Sequence, residues 1–296
     1  MKGIVSNLIG GLGNQLFQFA CGQALAWRSG LPLSLALDQF EAYRLHQGYE
    51  LARVFTVQVP TAPPEQLQAL LGFARHPLAR RLLARLAPGR RLGGRAWFEP
   101  ADGRFLPGVL QNPGPAYLHG YWQSERYFAD AQAPLRALLQ FRQAPSPLNA
   151  QWLARISACT AVSLHLRRGD YVSNPKNQRI YAVCTPEYYR AAMDRLLGAH
   201  PQANFFVFSD EPAWAREVLA GRREPLHFIE HNRHADSWND LRLMSHCQHH
   251  VIANSSFSWW GAWLGQRAGQ VVVAPQRWFV DPDRGADIVP ASWERL

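Results

Sequence analysis

A strand-like run, Ala161-Val-Ser-Leu-His-Leu, breaks off into Arg167-Arg168-Gly169-Asp170, so His165, two guanidinium groups and a carboxylate arrive together at one strand end. In open α/β sheets ligands sit outside the carboxyl ends of the strands, where such charge meets a ligand rather than bulk solvent. A planar fork of N–H donors matches phosphate oxygens, and adjacent arginines suit a diphosphate. A solvated ion-pair cluster would be written with the same letters, so the rest of the chain has to decide.

Three further clusters bear on that decision. Phe205-Phe-Val-Phe-Ser-Asp-Glu-Pro212 is a second strand ending in charge; Ser209 and Asp210 suit the N-cap of a helix over 212–219, with Pro212 in its first turn. Asp236-Ser-Trp-Asn-Asp240 precedes a helix to Cys247 and a strand ending at Ala253. Asn254-Ser255-Ser256-Phe257 then opens a helix, where hydroxyls and free N–H groups form an anion site. A buried Asp240 could accept the paired N1–H and N2–H donors of a guanine edge. Trp259, Trp260 and Trp263 on the last helix read as core or stacking surface. Near the N-terminus, Gly10-Gly-Leu-Gly-Asn14 lacks the spacing of a dinucleotide fingerprint and the lysine of a P-loop. What remains there is a tight turn, a helix N-terminus and the Asn14 amide.

The elements that would position these residues are legible in outline. The chain opens strand (4–9), glycine turn, helix (to Trp27) and strand (31–37), a right-handed parallel β-α-β unit. An aromatic strand over 117–123 leads into a helix at Ser124, and Pro145-Ser-Pro147 reads as a linker. Strands over 161–166, 204–209, 226–229, 250–253 and 270–274 then alternate with helices over 187–197 and 238–247, implying a parallel sheet covered on both faces. Two domains are expected, 1–147 and 148–296, with the last helix packing back on the first domain. Residues 60–115 differ in kind, forming a basic helical insertion: Arg75, Arg80, Arg81, Arg85, Arg90, Arg91 and Arg95 punctuate it, and Leu78, Leu82 and Leu86 recur every four residues. Such a segment is either a solvated helix or one that lies on an anionic membrane surface.

Composition sets the bounds. The chain has 296 residues, is 47% hydrophobic and carries a formal charge of +9, which points to an anionic partner. No run of about 18 apolar residues could span a bilayer, and no leader precedes the first strand, so a cytoplasmic protein starting at Met1 is expected. Cys21, Cys159, Cys184 and Cys247 fit neither a disulfide framework nor a zinc pattern, and buried free thiols follow. The histidines at 227, 231, 234, 246, 249 and 250 show no ligand spacing, and Asp281-Pro-Asp283 reads as an exposed turn, so no metal site is expected.

Together, Gly10-Gly-Leu-Gly-Asn-Gln-Leu-Phe-Gln18, His165-Leu-Arg-Arg-Gly-Asp-Tyr171, Phe208-Ser-Asp-Glu211 and Asn254-Ser-Ser-Phe-Ser-Trp-Trp-Gly261 resemble the α1,2-fucosyltransferase family, particularly its bacterial members. The resemblance implies an α/β, GT-B-like fold: two Rossmann-type domains with mainly parallel sheets facing a cleft. It implies GDP-β-L-fucose as donor, no cofactor or required metal, and inversion to an α1,2 linkage on a galactose-containing glycan. It places His165 and Arg167 at the donor diphosphate with Arg168 in a structural role, Asp240 at guanine, and Asn254, Ser255, Ser256 and Phe257 in the donor site. Asn14 becomes a candidate near the reacting centre. Asp170 is either the catalytic base or a partner of Arg168 that holds the loop. Another GDP-sugar transferase or fucose linkage would use the same donor motifs. Outside the enzymes, a polyanion-binding protein would use the arginine block; the transferase assignment expects no nucleic-acid partner, and leaves residues 75–95 for peripheral membrane contact at the inner face.

Overall fold

The structure, a computed structural model, describes residues 3–40, 47–86, 88–93, 95–112 and 114–296. It divides into two compact units: the first runs to Arg142 and includes Asp283–Pro290, the second comprises Gln143–Pro282 and Ala291–Leu296. The segment that joins the first unit late is a run of turns.

In the first unit β1 (Ile4–Asn7) is wholly buried and pairs in parallel with β2 (Leu33–Ala36) across the helix Leu12–Ser29. Glycine at position 22 lets that helix lie against the sheet, since a Cβ there would sit 2.9 Å from the Ser6 Cβ. Residues 60–115 are more than a helical insertion. They supply the helices Pro64–Leu71 and Pro77–Leu86, and also β3 (Arg91–Leu92) and β4 (Ala96–Phe98). These strands, at two and three residues, are too short for alternation to reveal. With β5 (Ala116–His119) the sheet order is β2-β1-β5-β4-β3, parallel except at the β3–β4 edge. Arg80 of the basic block is 4% exposed, because its guanidinium turns inward to Asp38 (2.5 Å) and the Tyr117 hydroxyl (3.0 Å).

The helix expected at Ser124 begins as two 3-10 turns, Glu125–Tyr127 and Ala129–Ala131, before the α-helix Gln132–Leu138. Farther on, Ser146 caps the helix Pro147–Ser157 by accepting the Asn149 N–H. In the second unit six strands, β6 (Ala161–Leu166), β7 (Asn204–Ser209), β8 (Leu226–Ile229), β9 (His249–Val251), β10 (Val272–Ala274) and β11 (Glu294–Arg295), form one sheet. Its order is β11-β10-β9-β6-β7-β8, with every pairing parallel. β6 lies inside the sheet and is buried along its whole length. Val162, Leu164 and Leu166 enter one apolar core with Met193 and Val207, while Ala161 enters the opposite core with Phe206, Leu243 and Met244.

Two glycines set how closely the helices Trp238–His246 and Ser256–Leu264 approach. A Cβ on Gly261 would lie 2.8 Å from the Met244 Cβ, and one on Gly265 would lie 2.5 Å from the Ser245 carbonyl oxygen. Because the second contact is with backbone, Gly265→Ala is expected to lower the free energy of unfolding by about 1–3 kcal/mol, measured by urea denaturation. A shift within a few tenths of a kcal/mol would show that the helices have room to part.

Candidate active site

At the carboxyl end of β6 the charged side chains take two directions. Arg167 is gripped from two sides, with Nη2 2.5 Å from Asp170 Oδ1 and Nε 3.2 Å from Asp210 Oδ2. Burial opposes its charge, yet Asp210 and Asp170 outweigh that and raise its pKa above the ordinary guanidinium value. A doubly held guanidinium keeps one orientation, and its side chain remains partly accessible. Asp170 has both carboxylate oxygens engaged, one by Arg167 and the other by Asn177 Nδ2 at 2.9 Å. Its partner is therefore Arg167, not Arg168, and its geometry is that of a positioning group. Arg168 turns away to Glu211 (2.9 Å) and lies over the Trp214 ring.

Asp210 does not cap the following helix. It accepts from the Arg168 backbone N–H at 3.1 Å as well as from Arg167, and the helix Pro212–Val218 has Glu211 at its N-cap with no side-chain cap. Gly169 makes room for this, since a Cβ there would sit 2.5 Å from Asp210 Oδ2. Burial pushes the Asp210 carboxyl up, with Arg167 opposing.

His165, 6% exposed, is held neutral. Burial, with the Arg167 charge adding to it, lowers the imidazole to about 3. Its Nδ1 is buried and makes no hydrogen bond. Its ring lies 6.3 Å from that of Phe257, on the helix that Ser255 caps by accepting the Phe257 N–H at 3.3 Å. Ser256 is partly accessible at the start of this helix, whose first turn contains no acidic residue. Trp259, Trp260 and Trp263 are buried core.

Asn254 is a structural hub. Its Nδ2 donates to the carbonyls of Ala182 (2.6 Å) and Trp278 (2.9 Å), its Oδ1 accepts from the Cys184 thiol, and its own carbonyl accepts from the Tyr171 hydroxyl at 3.0 Å. Tyr171 in turn stacks on Tyr181, with centroids 4.5 Å apart. Asp240 stands apart from this layer. Loss of hydration pushes its carboxyl up to about 7, opposed by the Asn232 amide, which donates to its Oδ1 at 2.8 Å. Asn232 also exchanges hydrogen bonds with Asn149, and His231 joins them.

The first unit has its own cluster at the carboxyl end of β1. Gly10, at φ 86°, makes the turn, and Asn14 Oδ1 accepts from Gln123 at 2.8 Å. Burial pushes the Glu50 carboxyl up, opposed by Arg53 and by the Leu12 N–H, so a carboxylate lies beside the start of this helix. Gln15 and Gln18 are internal braces: Gln15 bonds the backbones of Gly10, Gly48, Glu50 and Leu51, and Gln18 those of Ile9 and Gly120. Glu99 holds the loop that carries Gln123, accepting the Tyr121 and Trp122 N–H groups at 2.6 Å each; Trp122 stands in the left-handed region at φ 55°. Burial raises Glu99 to about 7. Sequence reasoning missed Glu50, Glu99, Asn177 and the Tyr171–Tyr181 stack, none of which sits in a spacing pattern.

Among the described residues no three His, Cys, Asp or Glu side chains gather as a metal site, and no helix is long and apolar enough to cross a membrane. The four cysteines are free; Cys159 is partly accessible and the others are buried.

Two mainly parallel sheets, each in its own α/β unit, with an arginine-bearing strand end in the second, define a glycosyltransferase of the GT-B-like class. The fold matches a crystal structure of the fucosyltransferase NodZ from Bradyrhizobium, with a TM-score of 0.50 and 12% identity over 88% of this chain and 92% of that one. Residues 108–294 match the family described as Glycosyl transferase family 11. The chain belongs to that family, the α1,2-fucosyltransferase family. An alpha-1,2-colitosyltransferase of Escherichia coli is 32% identical over 100% of this chain and 99% of its own length. The galactoside alpha-(1,2)-fucosyltransferase 1 of Saimiri boliviensis boliviensis is 30% identical over 36% of this chain and 29% of its own.

The hub role of Asn254 has a direct consequence. Asn254→Ala takes both amide hydrogen bonds away, leaving the Trp278 carbonyl with only the Ala182 N–H at 3.4 Å and the half-buried Ala182 carbonyl without its donor, and about 2–3 kcal/mol of stability should be lost. Chemical denaturation checks this; a loss below about 1 kcal/mol would mean that the loop bearing Ala182 can re-solvate.

Proposed function

We propose that the protein transfers a 6-deoxy-L-hexose, L-fucose, from its GDP-β-linked donor to the 2-hydroxyl of a galactoside, with inversion and without a metal. One observation carries the donor site: a buried, neutral imidazole with an orphaned Nδ1 adjoins a guanidinium locked between two carboxylates at a strand end. A neutral ring can donate to a phosphate oxygen, while Arg167 supplies fixed positive charge. In the proposed step the acceptor hydroxyl oxygen bonds to C1 as the C1–O bond to GDP breaks, the electron pair leaves on the diphosphate, and the hydroxyl proton passes to solvent water. Arg167, His165, Ser255, Ser256 and the N–H groups at the helix start meet that charge, and Phe257 packs beside them. Asp170 orients Arg167, Asp240 reads guanine, and Asn254 shapes the site through the backbone it ties. Asn14 is the first unit's candidate for a catalytic contact.

A second donor is favoured by one finding. The relative that matches this chain from end to end is named for colitose, which is L-fucose without its 3-hydroxyl. Parallel turnover assays in EDTA with the GDP-linked forms of both sugars decide between them.

Arg167→Ala is expected to reduce turnover about a hundredfold or more, since a preorganised donor to developing charge is lost. Steady-state turnover of GDP-fucose, with the product linkage assigned by NMR, tests it. Activity within a few-fold of wild type would remove Arg167 from the mechanism. The Asp240 carboxyl supplies a pH signature. Its pKa near 7 in the free protein means that it must lose a proton to accept guanine, so donor affinity is full above pH 7 and falls below it. Between pH 8 and pH 6 the affinity for GDP-fucose, whose phosphates do not titrate in that range, should drop about tenfold. Asp240→Asn should flatten the profile, and a flat wild-type profile would take Asp240 out of the guanine site.

A further inference from the structure

Four of the most exposed large apolar side chains among the described residues lie together: Phe73 at 73%, Leu86 at 70%, Leu78 at 66% and Leu82 at 56%, ahead of Val280 at 51%. Three of them are on the helix Pro77–Leu86, and at roughly 100° per residue Leu78, Leu82 and Leu86 fall within about 80° of one another. The opposite side of the same helix holds the fold. There Arg80 reaches Asp38 and Tyr117, and Leu83 and Ala84 pack against the core of the first unit. The leucine stripe is therefore not required for folding. It is an apolar face left in water, of the kind that marks an interaction surface.

The charge around it narrows the partner. From Gln66 to Phe98 the sequence contains no Asp or Glu and seven arginines. Arg80 is internal, Arg91 lies over the Trp97 ring and Arg95 donates to the Ala69 carbonyl. Arg75, Arg85 and Arg90 are exposed and have no carboxylate partner among the described residues. A nucleic acid or an acidic peptide would satisfy these cations and leave the leucines in water. A second copy of the chain would bury the leucines while bringing arginine against arginine. A bilayer with anionic headgroups answers both, taking apolar side chains into the acyl boundary while arginines extend to phosphate.

We propose that Phe73, Leu78, Leu82 and Leu86, with Arg75, Arg85 and Arg90, form a docking surface for an anionic lipid bilayer, on which the helix lies parallel to the membrane plane. The inference rests on this face alone and stands apart from the donor assignment. It accounts for an apolar stripe that packing does not need and for cations that meet no carboxylate among the described residues.

The test is sedimentation of the full chain with vesicles of phosphatidylcholine alone and with about one-third phosphatidylglycerol, at about 0.1 M and about 1 M salt. Binding is expected to the anionic vesicles only, and to weaken at least tenfold at high salt. The triple variant Leu78→Gln, Leu82→Gln, Leu86→Gln should lose at least tenfold in vesicle affinity at low salt, with an unchanged thermal melt because these side chains are exposed. Arg75→Gln, Arg85→Gln, Arg90→Gln should lose at least as much. No vesicle binding by the wild type would overturn the proposal, as would binding indifferent to the leucine variant; the latter, with equal binding to a homopolymeric RNA, would mark a general polyanion site. Self-association that the leucine variant abolishes, in a protein that ignores vesicles, would assign the face to a second copy instead.

Discussion

Asp210 accepts a hydrogen bond from the Arg168 backbone and an ion pair from the Arg167 side chain, and it reaches both because residue 169 has no Cβ. The orientation of the site follows from that contact. Asp170 closes on Arg167 from the other side and is itself held by Asn177. The guanidinium is thus held in one orientation by groups of the protein itself. The central, fully buried β6 gives the clamp a rigid base, and the neighbouring β7 delivers Asp210 in register, with Leu166 opposite Ser209.

The two helix N-termini that the glycine and serine motifs suggest as anion sites have opposite fates. The first has the Glu50 carboxylate beside it, itself paired with Arg53. The second has a hydroxyl cap at Ser255 and no acid in its first turn. Both carry the same partial positive charge, so the neighbouring side chains are what distinguish them electrostatically.

Much of this was legible in the sequence. Apolar runs ending in charge located β6 and β7, the β-α-β opening was visible in its periodicity, and Arg167 and His165 were singled out by residue type alone. What escaped notice depends on contacts across tens of residues. Asp210 looked like a helix cap because Ser-Asp-Glu-Pro is a good local cap, yet a distant arginine captures it. Asn254 looked ligand-facing, yet all its polar atoms are spent on Ala182, Trp278, Cys184 and Tyr171. Glu50 and Glu99 carry no pattern at all, because a carboxylate that braces backbone N–H groups can come from any loop of the right length. β3 and β4 hide among arginines and glycines because strands of two and three residues leave no period to read.

The late return of residues 283–290 to the first unit bears on how the chain is made. Asp287 accepts the Phe105 N–H and pairs with Arg126, and Gly285 donates to the Asp102 carbonyl, so the first unit draws on residues that follow most of the second. The second unit in turn receives its edge strand, β11, only afterwards. During vectorial synthesis the first unit cannot complete its contacts until translation has passed Pro290, nor the second until it has passed Arg295, so the two close within a few residues of each other. A cut at the boundary near residue 142 would leave the first fragment without residues 283–290, which the second fragment would carry as an insertion with no core of its own to join, so the units are not contiguous stretches of gene.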